Sequence, residues 1–241
     1  MAFDKNAPIG IIGAMDIEID LLKQNMRESG PVEKEIRSGM VFYSGKIGKS
    51  NVVLVKCGVG MVNAAICANT LIDAFKASCV INTGVGGSLD AQIDIGDIVV
   101  ATDAVNHIMD VQNLGYAAGE TPEVGTIAFP TNITLHNELI TIAEEIGIRA
   151  HSGRIASGDR FVRDDAEKER IVGTFNAKCC EMEGAAIAQA CYLAEIPCAV
   201  VRAISDKADG TASMDYKTFE DQAAKNSAAL IARVLGASLQ G

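Results

Sequence analysis

Tryptophan is absent from this sequence, and aromatic residues make up only 5% of its 241 positions. Any core must therefore be aliphatic, built from Ile, Val, Leu and Ala, and a hydrophobic fraction of 49% is enough to build one. Basic residues are scarce: 21 Lys and Arg stand against 31 Asp and Glu, a net charge of −10. That balance argues against nucleic acid, which needs clustered cations, and against an anionic membrane surface. No run approaches roughly 18 apolar residues, so no membrane-spanning helix is expected. The opening Met1-Ala2-Phe3-Asp4-Lys5-Asn6 lacks the apolar stretch of a signal peptide. His107, His136 and His151 are scattered without metal spacing, so neither a metal nor a cofactor is expected. None of the seven Cys forms a C-x-x-C pair, and Cys179 and Cys180 are adjacent. Such thiols suit a buried apolar role in a reducing compartment, which predicts a cytoplasmic protein.

What is present alternates strands with helices. Ile9 to Met15 is a short apolar run among glycines, expected as a buried strand, and Asp16 to Leu22 then opens a helix. Acids at 16, 18 and 20 suit a first helical turn by complementing its dipole. Alternatively, Glu18 sits at the carboxyl edge of a central strand, where open α/β sheets keep their sites. Met40–Ile47 and Asn51–Lys56 read as a hairpin, and Met61–Phe75 as a helix. Cys79–Thr83 is a further strand, followed by the glycine loop Gly84-Val85-Gly86-Gly87-Ser88. Neither this loop nor Gly58-Val59-Gly60 completes G-x-G-x-x-G, because Leu89 and Asn63 stand where the third Gly belongs. A dinucleotide site is thereby disfavoured. The stretch from His107 to Phe129 is a long connection with apolar Val111, Leu114 and Tyr116, suited to touching a substrate or another subunit. Asn132–Ile146 predicts a helix, Ala150–Ala156 a strand, and Phe219–Leu239 a closing helix. No repeat or linker interrupts the pattern. The expected architecture is one domain over residues 1–241, a three-layer α/β/α sandwich around a central, mostly parallel twisted sheet.

Three acids stand at expected element edges: Glu18, Glu183 and Asp206. Cys180-Glu181-Met182-Glu183-Gly184 places two carboxylates before a small-residue helix, and the apolar run from Cys198 ends on Arg202, Ser205 and Asp206. Cleavage of an N-glycosidic bond needs such a set. One acid protonates the departing base, one base deprotonates the attacking water, and a third carboxylate can hold a ribose diol. Glu183 suits the last task. Phe161 is equally a core aromatic or a platform for a stacked base.

At these residues the chain resembles a known family. Ile9 to Met15 with Glu18, Asn82-Thr83-Gly84, Ser157-Gly158-Asp159 with Phe161, Glu181-Met182-Glu183 and Arg202 to Asp206 look like the 5′-methylthioadenosine/S-adenosylhomocysteine nucleosidases of the nucleoside phosphorylase superfamily. The likeness runs from about Ile9 to the closing helix. It implies hydrolysis of methylthioadenosine, S-adenosylhomocysteine and 5′-deoxyadenosine in methionine salvage, without a cofactor, by a homodimer with shared active sites. Position by position it implies Glu18 as the base for water and Asp206 as the acid at adenine N7, steadied by Ser205. Met182 and Glu183 would bind ribose, with Arg202 near that Glu and the water. Phe161 would stack on adenine, with the backbone of Val162 at its edge, and Gly87 would line the site. Met15, Val59 and Tyr216 would form the pocket for the 5′-alkylthio group. Val111, Leu114 and Pro122 would enter the neighbour's site. Three features depart from the pattern: Val85 where Ser is expected, Gly184 where Ala is common, and a few extra residues at the start. The rivals are a nucleoside phosphorylase, nucleosidases acting on AMP or futalosine, and a non-catalytic nucleoside-binding protein. A phosphorylase needs cations after the first strand, and Met15-Asp16-Ile17-Glu18 offers none.

Overall fold

The computed structural model describes residues 7–237. The stretch Met1 to Asn6 and the last expected helical residues, Ser238 and Leu239, lie outside it. Strand β1 (Ile9–Gly13) leads into helix α1 (Asp16–Ser29). Strands β2 (Glu33–Arg37), β3 (Met40–Ile47) and β4 (Ser50–Lys56) follow as an antiparallel meander, and α2 (Met61–Asp73) returns the chain to β5 (Cys79–Asn82). Then come β6 (Val85–Ser88), β7 (Ile98–Asn106), β8 (Ala128–Pro130), α3 (Ile133–Glu145), β9 (Ala150–Ser157) and α4 (Asp165–Phe175). The chain closes with β10 (Cys179–Glu181), α5 (Gly184–Leu193), β11 (Cys198–Asp206) and α6 (Ala212–Val234).

The strand order is β2-β3-β4-β1-β5-β11-β6-β10-β9-β7-β8, with an extra pairing of β11 to β7. That extra pairing closes β11, β6, β10, β9 and β7 into a ring. Strand β11 joins the two parts: Cys198–Val200 pair with β5, whereas Val201–Asp206 pair with β7 and β6. Parallel pairings lead antiparallel ones by only six to five among the described residues, because the edge meanders and β6 add antiparallel neighbours.

Alternate residues of one strand feed opposite cores. Ile11 packs with Ile19, Leu22 and Met26 of α1, Leu139 of α3 and Ala224 and Ile231 of α6. Ile12, its neighbour, packs with Cys67 and Leu71 of α2 and Ile187 of α5. Helices on both faces of the central strands give the three layers expected, while the edge strand β2 is exposed along its length. The core is aliphatic, and all seven Cys are buried and free.

Several elements differ from the sequence reading or fall where it offers none, strands β2 and β8 among them. Residues 85–88 form a strand, not a loop, because their glycines let backbone and side chains close in: a Cβ on Gly86 would lie 2.6 Å from Cys179 Sγ. Helix α4 carries a charged face and buries only Ile171 and Phe175, so its apolar signal is thin; Asp164 caps it by accepting from the Glu167 N–H at 2.9 Å. Helix α6 begins at Ala212, which places Tyr216 on a helix and not in a loop. The long connection contains a 3-10 turn at Gln112–Leu114 and a bridge between Thr121 and Thr126.

Candidate active site

The carboxyl ends of β1, β5 and β11 reach the same region as that of β10, which runs antiparallel to β6. There they enclose a cavity of about 350 Å³. Of the residues expected at a site, Met15, Glu18, Val59, Gly87, Phe161, Val162, Met182, Glu183, Ser205, Asp206 and Tyr216 line it. Arg202 does not; it lies behind the wall. Val111 and Pro122 are half-buried and Leu114 is 69% exposed, all outside this cavity.

Both readings of Glu18 hold at once. It sits in the first turn of α1, yet its carboxylate turns back toward the end of β1. Its Oε2 accepts from the N–H groups of Ala14 at 2.6 Å and Met15 at 2.9 Å, and its Oε1 accepts from the Val85 N–H at 3.1 Å. The side chain is 4% exposed, and burial pushes its carboxyl up from the usual range, opposed by the positive charge of Arg202 and by these three donors. A Cβ on Gly84 would fall 2.5 Å from Glu18 Oε1, so that glycine is what makes room for the carboxylate. Because the contact with Val85 is through its backbone, a Ser at that position is not needed to hold Glu18.

Asp206 enters from the other side. The pairing of β11 with β6 slips between Ile204 and Asp206, a bulge that re-aims the last side chain of the strand. Asp206 Oδ1 accepts from the Ala208 N–H at 2.9 Å, and Oδ2 accepts from the Ser205 hydroxyl at 2.9 Å. Burial again raises the carboxyl, and here no cation opposes it; the nearby acids Asp215 and Asp209 raise it further. A Cβ on Gly87 would lie 2.7 Å from Asp206 Oδ1.

Met182 and Glu183 line a further part of the cavity. Glu183 Oε1 accepts from the Gly60 N–H at 2.7 Å, and Oε2 lies 3.8 Å from Arg202 Nη2. Behind it stands a cluster whose partners are far apart in the chain. Arg202, 1% exposed, donates from Nη2 to Asn82 Oδ1 at 2.6 Å and to Glu181 Oε2. Glu181 also accepts from the Ser157 hydroxyl and from the N–H groups of Glu183 at 3.0 Å and Gly184 at 2.8 Å. Glu181 belongs to the Glu181-Met182-Glu183 motif, but the sequence does not show its task as the counterion of Arg202. A Cβ on Gly184 would lie 2.8 Å from Val200 Cγ1, which gives a steric reason for Gly where Ala is common.

Phe161 is 39% exposed at the lip, and its ring meets that of Tyr216 edge-on with centroids 5.6 Å apart. It is therefore not a core aromatic. The Tyr216 hydroxyl contacts Met15 Sδ at 3.3 Å, which joins two of the residues expected around an apolar substituent. Arg160, Cys180, Ser213 and Lys217 also line the cavity and were not foreseen. Three of these four are polar residues next to, or one turn from, the aromatic pair; nothing in their spacing marks them before α6 is known to start at Ala212.

Burial, then the neighbouring charge of Glu181, raises the Glu183 carboxyl. The folded protein therefore holds that proton more tightly than the unfolded chain does. Its favourable contribution is complete below the ordinary carboxyl range and is lost as pH rises through the folded value. Glu183→Gln should accordingly raise the melting temperature of the ligand-free protein by roughly 2–4 °C at pH 8 and by much less at pH 5. Thermal scans at the two pH values check this; an equal or absent gain would contradict a Glu183 carboxyl raised by burial and by Glu181.

Among the described residues no cluster of His, Cys, Asp and Glu could hold a metal ion, and no helix is long and apolar enough to cross a membrane. The family model described as the phosphorylase superfamily matches residues 8–236. The 5′-methylthioadenosine/S-adenosylhomocysteine nucleosidase of Staphylococcus aureus (strain MRSA252) is 36% identical over 220 residues, which cover 91% of this chain and 95% of that protein. A nucleosidase of the same name from Neisseria meningitidis, solved with methylthio-immucillin-A, matches at a TM-score of 0.90 and 36% identity, covering 95% of this chain and 98% of that one. The futalosine hydrolase of Helicobacter pylori strain 26695 matches at a TM-score of 0.90 and 33% identity, covering 95% and 97%. This chain belongs to the phosphorylase superfamily and, within it, to the family of 5′-methylthioadenosine/S-adenosylhomocysteine nucleosidases.

Proposed function

We propose that the protein hydrolyses the N-glycosidic bond of 5′-methylthioadenosine, S-adenosylhomocysteine and 5′-deoxyadenosine, releasing adenine and the free 5′-substituted ribose. The observation that carries this reading is the pair of buried carboxylates in unlike surroundings. Burial raises the Glu18 carboxyl, and three N–H donors with the field of Arg202 oppose that and favour its ionised form. Asp206 has one N–H donor, one hydroxyl and no cation, which favours its acid form more. Asp206 gives its proton to adenine N7 as the C1′–N9 bond breaks and the bonding pair moves onto the base. Glu18 takes a proton from water as its oxygen joins C1′ of the oxocarbenium-like sugar. Solvent then returns a proton from Glu18 to Asp206. Glu183 with Met182 would hold the ribose hydroxyls, Phe161 the base, the Val162 backbone its edge, and Met15, Val59 and Tyr216 the 5′ substituent. Arg202 would act from behind, by fixing Glu181 and Glu183.

The same geometry disfavours phosphorolysis. An ionised Glu18 at the floor of the cavity would repel a phosphate dianion, whereas facing water it is a base. The exposed Leu114 with Val111 and Pro122, and the exposed Val62 and Leu193 on α2 and α5, support a homodimer in which this segment completes the neighbouring site. The seven free buried thiols support a cytoplasmic setting.

Incubation with methylthioadenosine, with and without phosphate, tests the reaction class. Adenine and free methylthioribose are expected in both. Methylthioribose 1-phosphate, formed only with phosphate, would make the protein a phosphorylase. Futalosine run in parallel addresses the other nucleoside: cleavage of futalosine alone would replace the substrate named here.

A further inference from the structure

The lip of the cavity carries charge that the proposed chemistry does not use. Helix α6 directs Ser213, Tyr216 and Lys217 into the cavity wall, a spacing of three and four residues that puts them on one helical face. Opposite, Arg160 precedes Phe161, whose ring rests on Tyr216. Two cations thus flank the aromatic pair at the lip of an otherwise acidic protein. Lys217 makes no hydrogen bond or ion pair to any described residue. Arg160 reaches only Glu167 Oε2, at 4.0 Å, and that carboxylate is bound more closely by Arg170 at 2.9 Å. Two acids of α6 stand close by without lining the cavity: Glu220 acts on the Tyr216 hydroxyl, and Asp215 accepts from the Thr211 hydroxyl at 2.8 Å.

Taking the reading above as its basis, the 5′ substituent leaves the sugar past Met15, Val59 and Tyr216 and so arrives beside Lys217. We infer that Lys217 and Arg160 form a subsite for an anionic end group, so that the site favours adenine nucleosides whose 5′-thio substituent ends in a carboxylate over those with a neutral end. Ser213, one turn before Lys217, adds a hydroxyl donor on the same face. A short alkylthio group would fill the apolar part and leave the two cations unused.

Three substrates separate charge from size: 5′-methylthioadenosine, 5′-(3-carboxypropylthio)adenosine and 5′-(3-aminopropylthio)adenosine, with adenine release as the readout. The ratio of kcat/KM for the carboxylate to that for the methylthio substrate should fall roughly five- to tenfold in Lys217→Ala and in Arg160→Ala, through KM. Lys217→Glu should shift preference toward the amine. In the unaltered protein, raising the salt toward 1 M should shrink the preference for the carboxylate, because exposed charges are screened. Equal changes on all three substrates, or none, would overturn the subsite while methylthioadenosine turnover left the nucleosidase reading standing. No adenine from any of the three would remove that reading and the subsite with it.

Discussion

Asp206→Asn is expected to lower kcat by roughly 10²–10⁴-fold while leaving ligand binding near its original strength. The amide is nearly isosteric, so its oxygen can still accept from the Ala208 N–H and its nitrogen can donate to the Ser205 hydroxyl, with that bond reversed. What it cannot do is give a proton to N7. The base then has to leave as an anion, and the barrier rises by the value of the missing proton transfer. The pH profile supplies a second readout. Burial holds Asp206 above the usual carboxyl range, and it works as the acid, so turnover falls as pH rises through its value. That limb should vanish in Asp206→Asn, while the limb at lower pH, where Glu18 gains its proton, should persist. Near-normal turnover, or an unchanged profile, would sink the assignment of Asp206 as the acid.

The second large effect concerns folding. Arg202→Met should destabilise the protein by about 3–5 kcal/mol, a fall in melting temperature on the order of 10 °C. Arg202 is the buried cation among the carboxylates of Glu181, Glu183 and Glu18. Removing it strands those charges in a low-dielectric interior, where each would have to take up a proton or unfold its surroundings. The loss should grow as pH rises, since more of the carboxylates then ionise. Adding Glu181→Gln to Arg202→Met should recover part of it, because the closest stranded charge is then gone. A melting temperature unchanged by Arg202→Met would mean that the cluster is already neutral through protonation, and the electrostatic account of Glu18 would fall with it.

Much of the site was legible because its residues are unusual for where they stand. Glu, Glu, Arg and Asp at the ends of apolar runs have no packing reason to be there, and all of them proved buried around one region. The segments that the sequence reads wrongly or not at all are those whose local signal is weak or shared. Val85–Ser88 has the glycines of a loop, and only its pairing with β11 and β10 makes it a strand. Helix α4 shows a mostly polar face, and the first turns of α6 mix Ser, Met, Asp and Lys without a clear apolar stripe.

Taken alone, the sequence determined the aliphatic three-layer α/β/α architecture and the identity of the acids, because hydrophobic period and misplaced charge are local properties. Tertiary structure decided how those acids differ. Arg202 comes to Glu181 and Asn82 only because β11 leaves β5 to join the ring with β6 and β7, and Glu18 meets Val85 only because β5 runs beside β1. Which carboxylate keeps its proton depends on donors and charges brought within a few ångströms from distant parts of the chain, and no spacing along the sequence encodes that distance.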